Sequence, residues 1–136
     1  MAGYSGTPLA QKLGIQEGHL VALLASPENF APKLGELPEG VRLQTKMPPK
    51  GSSDVIVWFV SRHAKFERRL TSVRQRMAPA TGVWVAWPKR ASGVATDMTE
   101  NAIRQVALPT GLVDNKVCAI DETWSGLRLV IRPEHR

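Results

Sequence analysis

The sequence predicts an α/β fold, in which one doubly wound, mainly parallel sheet of about six strands ends in an antiparallel hairpin. Three observations predict it. Apolar runs alternate with helical patterns from residue 54 onward, a near-continuous apolar run lies earlier at 19–25, and a short polar turn separates the last two runs. Runs that are apolar on both faces are typical of strands covered by helices. A chain of 136 residues suffices for one core, so we predict a single domain over residues 1–136.

Each predicted strand is an apolar run bounded by glycine, proline or polar residues. The strands are predicted over residues 19–25, 41–45, 54–60, 83–87, 113–120 and 127–132. The first run is apolar almost throughout, so we expect this strand to be central in the sheet. The second run alternates apolar and polar residues, as expected for an outer strand with one solvent-exposed face. Residues 121–126 form a connection short enough for an antiparallel hairpin.

The segments around the first strand favour short helices at most. Thr7 followed by Pro8 has the form of an N-cap with proline at the first helical position, and Gly14 can end this helix after about two turns. Proline and glycine crowd residues 26–40, so we expect no long crossover helix between the first two strands.

Two longer helices are predicted over residues 62–77 and 99–107, where apolar residues recur at helical spacing. Asp97 and Glu100 have the spacing of a capping box at the start of the second of these helices, although Thr99 could be the cap instead. The first of these helices follows a predicted strand directly, and the second follows the next strand after a polar loop. The order of elements is therefore that of a Rossmann-like sheet with a crevice at its strand ends.

Positive charge is concentrated on the helix predicted over residues 62–77. Residues 62–76 carry six basic side chains and one acid, while the formal net charge of the whole chain is +6. On a helical wheel Lys65, Arg69 and Arg76 form a column beside the apolar stripe. A cluster of basic residues like this one is most often a helix face exposed to solvent. It can also be a surface that binds an anionic partner, so nucleic-acid binding through this helix is one alternative function.

The composition of the chain excludes some kinds of structure and site. Cys118 is the only cysteine, so the chain forms no internal disulfide, and we expect a small buried side chain there. No apolar run approaches the roughly 20 residues needed to cross a bilayer, and the N-terminus lacks the features of a secretory signal. We therefore predict a cytoplasmic protein without membrane contact. The histidines are isolated in the sequence, so we predict no metal site.

Four segments of the chain resemble a bacterial family known as a domain of unknown function, DUF3052. They read MAGYSGTPLA at residues 1–10, WVAWPK at 84–89, SGVATD at 92–97 and VCAIDETWSGL at 117–127. The resemblance extends over nearly the whole chain. It implies a single bacterial cytoplasmic domain, and it implies no catalytic residues because the family has no assigned activity.

At the level of the fold, the chain is also similar to S-adenosylmethionine-dependent methyltransferases, whose sheet likewise ends in an antiparallel hairpin. Nucleotide-type cofactors need glycines after the first strand, so that backbone N–H groups can approach them, and an acid after the second strand. Here residues 25–32 contain two prolines and no glycine, and residues 44–46 contain no acid. We therefore predict no cofactor. The leading hypothesis is a non-catalytic binding or regulatory module with a degenerate methyltransferase-like fold.

Two polar clusters are candidate ligand sites. The first is the loop of residues 89–100, which follows the fourth strand at the sheet end where such folds bind ligands. Its candidate residues are Lys89, Ser92, Thr96, Thr99 and Glu100. With the backbone donors of the next helix, they could hold a phosphate or carboxylate. An enzyme or sensor of a small anionic ligand is therefore a second alternative, although a solvated lysine and a capped helix explain the same residues.

The second cluster contains Asp121, Glu122 and Trp124. Two carboxylates beside an aromatic ring could serve as an acid/base pair or as the polar rim of a ligand site. The same residues could instead form the hairpin turn, with the indole covering the sheet edge. The sequence therefore does not decide the partner. It could be an unknown protein or a small anion, and nucleic acid is a further alternative.

Overall fold

Six strands form one mixed sheet, which confirms the predicted α/β fold. The computed structural model describes residues 7–136, so the first six residues of the resembling segment 1–10 lie outside the described residues. The strands are β1 (Leu20–Leu24), β2 (Arg42–Gln44), β3 (Val55–Phe59), β4 (Gly82–Pro88), β5 (Leu112–Ala119) and β6 (Trp124–Ile131). The α-helices are α1 (Leu9–Lys12), α2 (His63–Gln75) and α3 (Glu100–Ala107). Short 3-10 turns cover Ala31–Leu34, Arg90–Ser92, Leu108–Thr110 and Pro133–His135.

The strand order is β2-β1-β3-β4-β6-β5. The first four strands pair in parallel, and β6 pairs antiparallel with both β4 and β5, so the predicted C-terminal hairpin is confirmed. The prediction that β1 is central was wrong. It lies one strand in from the edge, and β3 and β4 occupy the middle because β6 inserts beside β4. Every residue of β3 and β4 is buried.

The two faces of the sheet are covered unequally. On one face α2 and α3 pack over a large core, and the predicted apolar stripe is confirmed, because Phe66, Leu70, Val73 and Met77 are all buried there. The other face is covered by α1 and the 3-10 turn at Ala31–Leu34. The longest helix of the described part, α2, has 13 residues. No helix in residues 7–136 has the length and apolar character that a membrane span requires.

Some element ends differ from the predicted ones, and the structure decides between the two predicted caps of α3. α1 is a single turn, and its N-cap position is Pro8, which has no side-chain cap, instead of Thr7. Thr99 is the N-cap of α3, because its hydroxyl accepts a hydrogen bond from the N–H of Ala102 at 3.1 Å. β6 begins at Trp124 instead of residue 127, which shortens the hairpin turn.

Candidate functional site

The strand order reverses between β1 and β3. From β1 the chain moves outward to β2 at the sheet edge, and from β2 it returns across β1 to β3. Ligands of open α/β sheets bind at such a reversal, outside the carboxyl ends of the strands. The candidate site is therefore bounded by Leu24 and Phe59, the last residues of these two strands. We call this place the crevice.

Aromatic rings pack together at the crevice on the sheet face that α1 covers. Phe30, from the loop after β1, is only 1% exposed. Its ring meets the ring of Phe59 nearly edge to face, with 4.7 Å between centroids. Phe59 in turn meets Trp124 at 90° and 5.0 Å. Such pairs contribute about 0.5–1.5 kcal/mol each beyond the area they bury. The proline-rich stretch around Phe30 has no periodicity, so the sequence does not indicate a role for this residue.

Beside these rings, the end of β1 borders an open cavity of about 380 Å³. The cavity is lined by Leu23, Ala25, Ser26, Pro27, Glu28, Ala31 and Thr45. Ala25 has a φ of +55°, and within residues 7–136 it is the only residue other than glycine with a positive φ. An L-residue in this conformation costs about 1–2 kcal/mol, which a glycine avoids. The chain thus makes a glycine-type turn at this point but keeps a Cβ atom in the cavity lining.

The predicted hydroxyl groups of the loop after β4 are bonded to the chain itself. Ser92 Oγ donates to a carbonyl three residues earlier at 2.6 Å. Thr96 Oγ1 donates to the carbonyl of Ser61, just past β3, at 2.7 Å, and it also accepts a backbone N–H at 3.0 Å. Thr99 caps α3. These hydroxyls hold the shape of the loop and tie it to the end of β3.

The two charged candidates of the same loop, Lys89 and Glu100, each have a contact within the chain. The backbone N–H of Lys89 donates to the carbonyl of Thr123 at 2.8 Å, which extends the pairing of β4 with β6. Glu100 accepts a hydrogen bond of 2.6 Å from Arg104, four residues later on α3. Glu100 is thus paired within α3, and Lys89 is held through its backbone at the end of β4.

A second cavity of about 380 Å³ lies beside the end of β4. It is lined by Trp87, Pro88, Arg90, Thr96, Asp97, Met98 and Thr99. Arg90 is exposed and lines this cavity, whereas Lys89 does not. Arg90 could not be identified from the sequence, because two adjacent basic residues after a proline cannot be told apart until the direction of the chain is known.

Asp121 is buried and anchors the hairpin turn. Its Oδ1 atom accepts the backbone N–H groups of Thr123 and Trp124, each at 2.8 Å, and its Oδ2 atom lies 2.9 Å from Lys33 Nζ. Burial alone raises the pKa of Asp121, but the hydrogen bonds from Lys33 and the two backbone groups outweigh it, so the pKa lies below its usual range. Glu122 is exposed and lies 3.8 Å from the same lysine. These contacts favour the turn-forming interpretation of the cluster.

The basic column on α2 is only partly available. Lys65 and Arg69 are exposed, and neither forms a hydrogen bond or ion pair within the described residues. Arg76 is half-buried at the end of the helix, where Nη1 donates to the carbonyl of Pro48 at 2.8 Å. Arg62 and Arg68 are also exposed. The free positive charge therefore lies on the first two turns of α2.

In the part of the chain that the structure describes, no group of three or more histidine, cysteine, aspartate or glutamate side chains could hold a metal ion. Cys118 is half-buried rather than fully buried. Its burial raises the pKa of the thiol, against smaller opposing effects of Lys12 and Lys89.

The family described as Protein of unknown function (DUF3052) matches residues 10–133. No curated protein matches the chain closely enough to count as a relative. Solved structures nevertheless match its fold. A SAM-dependent methyltransferase from Aquifex aeolicus is 16% identical with a TM-score of 0.63, over 90% of this chain and 87% of that one.

Two further structures give the same result. DhpI in a complex with SAH is 14% identical, with a TM-score of 0.62 over 93% of this chain and 83% of that chain. Fibrillarin from Aeropyrum pernix with natively bound S-adenosyl-L-methionine is 12% identical, with a TM-score of 0.57 over 94% and 70%. At these identities the likeness concerns the fold alone. The chain has a Rossmann-like, methyltransferase-like fold, as the sequence predicts.

Proposed function

This chain belongs to the DUF3052 family, and we propose that it is a non-catalytic binding module on a degenerate methyltransferase-like fold. One observation carries the proposal. The buried ring of Phe30 packs on Phe59 at 4.7 Å, at the place where the strand order reverses. A cofactor at that place would compete with the ring.

The cost of that competition can be estimated. Moving a buried phenylalanine side chain into water costs about 2 kcal/mol. If a cofactor had to displace Phe30, this cost would weaken binding roughly 30-fold. Ala25 adds a second obstacle, because its Cβ atom lies where a glycine would let a ligand approach the backbone. Both effects act on the loop that follows β1.

The polar groups near the crevice support the same proposal. A general acid or base must be free to exchange a proton with its substrate. Asp121 instead holds two backbone N–H groups and Lys33, and Thr96 holds the loop to Ser61. These side chains stabilise the fold, so we assign none of them a catalytic role.

Calorimetric titration with S-adenosylmethionine and S-adenosylhomocysteine tests the proposal. We expect no saturable heat at ligand concentrations up to the millimolar range. Thermal unfolding gives a second readout, because a ligand at a hundred times its Kd stabilises the fold by about 2.7 kcal/mol. Saturable cofactor binding, or turnover of a small metabolite by the purified protein, would contradict the proposal.

A small anionic ligand at the loop of residues 89–100 is a second candidate, favoured by the cavity beside Trp87. The cavity lies within the size range of small-ligand sites, and Arg90 lines it as a charged donor. Lys89 does not line it. A thermal-shift screen with nucleotides, acyl phosphates and organic acids tests this candidate. A stabilising ligand should lose its effect in Arg90→Gln and keep it in Arg42→Gln, an exposed arginine on β2.

Nucleic-acid binding through α2 is a third candidate. It is favoured by Lys65 and Arg69, which are exposed and form no ion pair in the described chain. Phosphate contacts of this kind make affinity fall with salt in proportion to the number of phosphates neutralised. We expect the double variant Lys65→Gln/Arg69→Gln to reduce the salt slope by about 2. Lys50→Gln, on an exposed loop, is the matched control, and an unchanged slope in the double variant would exclude this surface.

The proposal also places the module in the bacterial cytoplasm, as the resemblance to a bacterial family implies. Either an unknown protein or a small anion would then be its partner. Cell fractionation checks the location, and recovery of the native protein outside the cytoplasm would contradict it.

A further inference from the structure

Arg128 on β6 lies on the sheet face opposite α2 and α3, away from the crevice. Its guanidinium lies over Gly82, the first residue of β4. A Cβ atom added to Gly82 would be 2.6 Å from Nε, 2.7 Å from Nη2 and 2.9 Å from Cζ of this arginine. All three atoms belong to the guanidinium, so this group occupies the space that a side chain at position 82 would fill. Glycine at position 82 is therefore what allows Arg128 to occupy this place.

The guanidinium has no acceptor among the residues that the structure describes. Within residues 7–136, Arg128 forms no hydrogen bond or ion pair, although it is half-buried. A buried or half-buried charged donor without a partner loses part of its hydration and gains nothing in return. Burial accordingly lowers the pKa of Arg128, and Arg136 lowers it further.

The neighbours of Arg128 are positively charged as well. Lys116 on β5 is its cross-strand partner in the antiparallel pairing, so both side chains lie on the same face. Like charges directly opposite each other destabilise a sheet. Arg136 lies close enough to repel the guanidinium, and it is held near by a hydrogen bond of 2.7 Å from its Nε to the carbonyl of Ile131. Arg128 thus has two cationic neighbours, Lys116 across the strand pair and Arg136 after β6.

We propose that Arg128, Lys116 and Arg136 form a binding site for a phosphate group, either free or as a monoester. A tetrahedral oxyanion would supply acceptors for the flat guanidinium, which binds such oxygens through two parallel N–H groups. It would also turn the repulsion between Lys116 and Arg128 into attraction of both to one ligand. A dianion suits three cations better than a monoanionic carboxylate. This site lies near the amino ends of the parallel strands and is independent of the crevice.

Thermal unfolding with inorganic phosphate, at an ionic strength held constant with sodium chloride, tests the site. The informative variants are Arg128→Gln, which removes the charge, and Gly82→Ala, which keeps the charge but displaces the guanidinium. Arg68→Gln, an exposed arginine on α2, is the control. At saturating phosphate we expect the Tm of the wild type and of the control to rise by roughly 2–4 °C. The Tm of the two site variants should rise by less than a quarter of that.

A parallel titration with glycerol phosphate distinguishes the two sources of the phosphate group. Tighter binding of the monoester identifies a phosphorylated compound, and tighter binding of the inorganic ion identifies free phosphate; either result supports the site. An unresponsive wild type, or an equal response in all variants, overturns it. If a site variant does not fold, a phosphate titration of the wild type followed by NMR decides. The Gly82 amide and Arg128 Nε–H signals should shift saturably, and unchanged signals would overturn the proposal.

Discussion

Asp97 Oδ1 accepts a hydrogen bond of 2.7 Å from the backbone N–H of His63, the first residue of α2. A carboxylate from the loop after β4 thus caps the helix that follows β3. The N-cap residue of this helix, Arg62, provides no side-chain cap of its own. Anions bind favourably at helix N-termini because the unpaired N–H groups and the helix dipole attract negative charge. The chain therefore supplies its own anion where a ligand could have bound.

We expect Asp97→Ala to lower the free energy of unfolding by about 1 kcal/mol, the usual cost of losing a cap. The measurement is the midpoint of urea denaturation at neutral pH. Asp97→Asn keeps an acceptor oxygen without the charge, so it should retain part of the stability. Glu67→Gln, on the exposed face of α2, serves as the control. A midpoint for Asp97→Ala equal to that of the control would show that the cap contributes nothing.

Asp121 should control the stability of the hairpin in acid. Since its pKa is lowered in the folded state, its contribution is fully present above the unfolded value of about 3.9. That contribution is lost as the pH falls through the lower folded pKa. Asp121→Ala leaves two backbone N–H groups and Lys33 without their acceptor, and we expect a cost of about 2–4 kcal/mol.

Urea denaturation between neutral pH and about pH 2 measures this effect. In the Asp121→Asn variant, the difference from the wild type should shrink as the pH falls, because the wild-type carboxyl also becomes neutral. Glu122→Gln is the matched control on the same lysine, and its exposed pair at 3.8 Å should contribute less than about 1 kcal/mol. A difference between Asp121→Asn and wild type that stays constant with pH would contradict the assignment.

Elements with a clear hydrophobic pattern could be predicted from the sequence, because that pattern depends only on neighbouring residues. β3, β4 and the buried stripe of α2 follow from continuous apolar runs and a clear helical period. The position of β1 could not be predicted in the same way. Its apolar run indicates that both faces are covered, but the number of strands on each side depends on how β6 pairs.

The candidate site was predicted less well, because its residues act over long separations in the chain. Asp97 and Thr96 were assigned to the neighbouring helix or to a ligand, yet they bond to His63 and Ser61, more than thirty positions earlier. Side-chain hydrogen bonds to distant backbone groups have no period in the sequence. Phe30 lies in a stretch without any pattern, so its contact with Phe59 becomes visible only in the structure.

Ser53 offers a test of buried polar groups. Its hydroxyl is buried and has no hydrogen-bond partner in the described chain. The hydroxyl of nearby Thr81 has two, because it donates to the carbonyl of Ser53 at 2.7 Å and accepts the N–H of Ala78 at 2.9 Å. We expect Ser53→Ala to raise the unfolding free energy by about 1 kcal/mol and Thr81→Val to lower it by 1–3 kcal/mol. Denaturant titration measures both, and a clearly less stable Ser53→Ala would reveal a partner for its hydroxyl.

Ala25→Gly tests whether the turn after β1 is strained. Glycine relieves the cost of about 1–2 kcal/mol that an L-residue pays at positive φ, and it loses about 0.5–1 kcal/mol through the greater entropy of the unfolded chain. We therefore expect a net gain of about 0.5 kcal/mol in the urea-derived free energy of unfolding. Ala31→Gly, in the following 3-10 turn, should instead lose about as much.

The same variant separates the two obstacles to a cofactor in the crevice. Ala25→Gly removes the Cβ atom from the cavity lining, but it leaves Phe30 packed on Phe59. We expect calorimetry to detect no S-adenosylmethionine binding by this variant, because the ring still has to move. If the glycine alone conferred saturable binding, the Cβ atom would be the barrier, and the aromatic pair would not be what keeps the cofactor out.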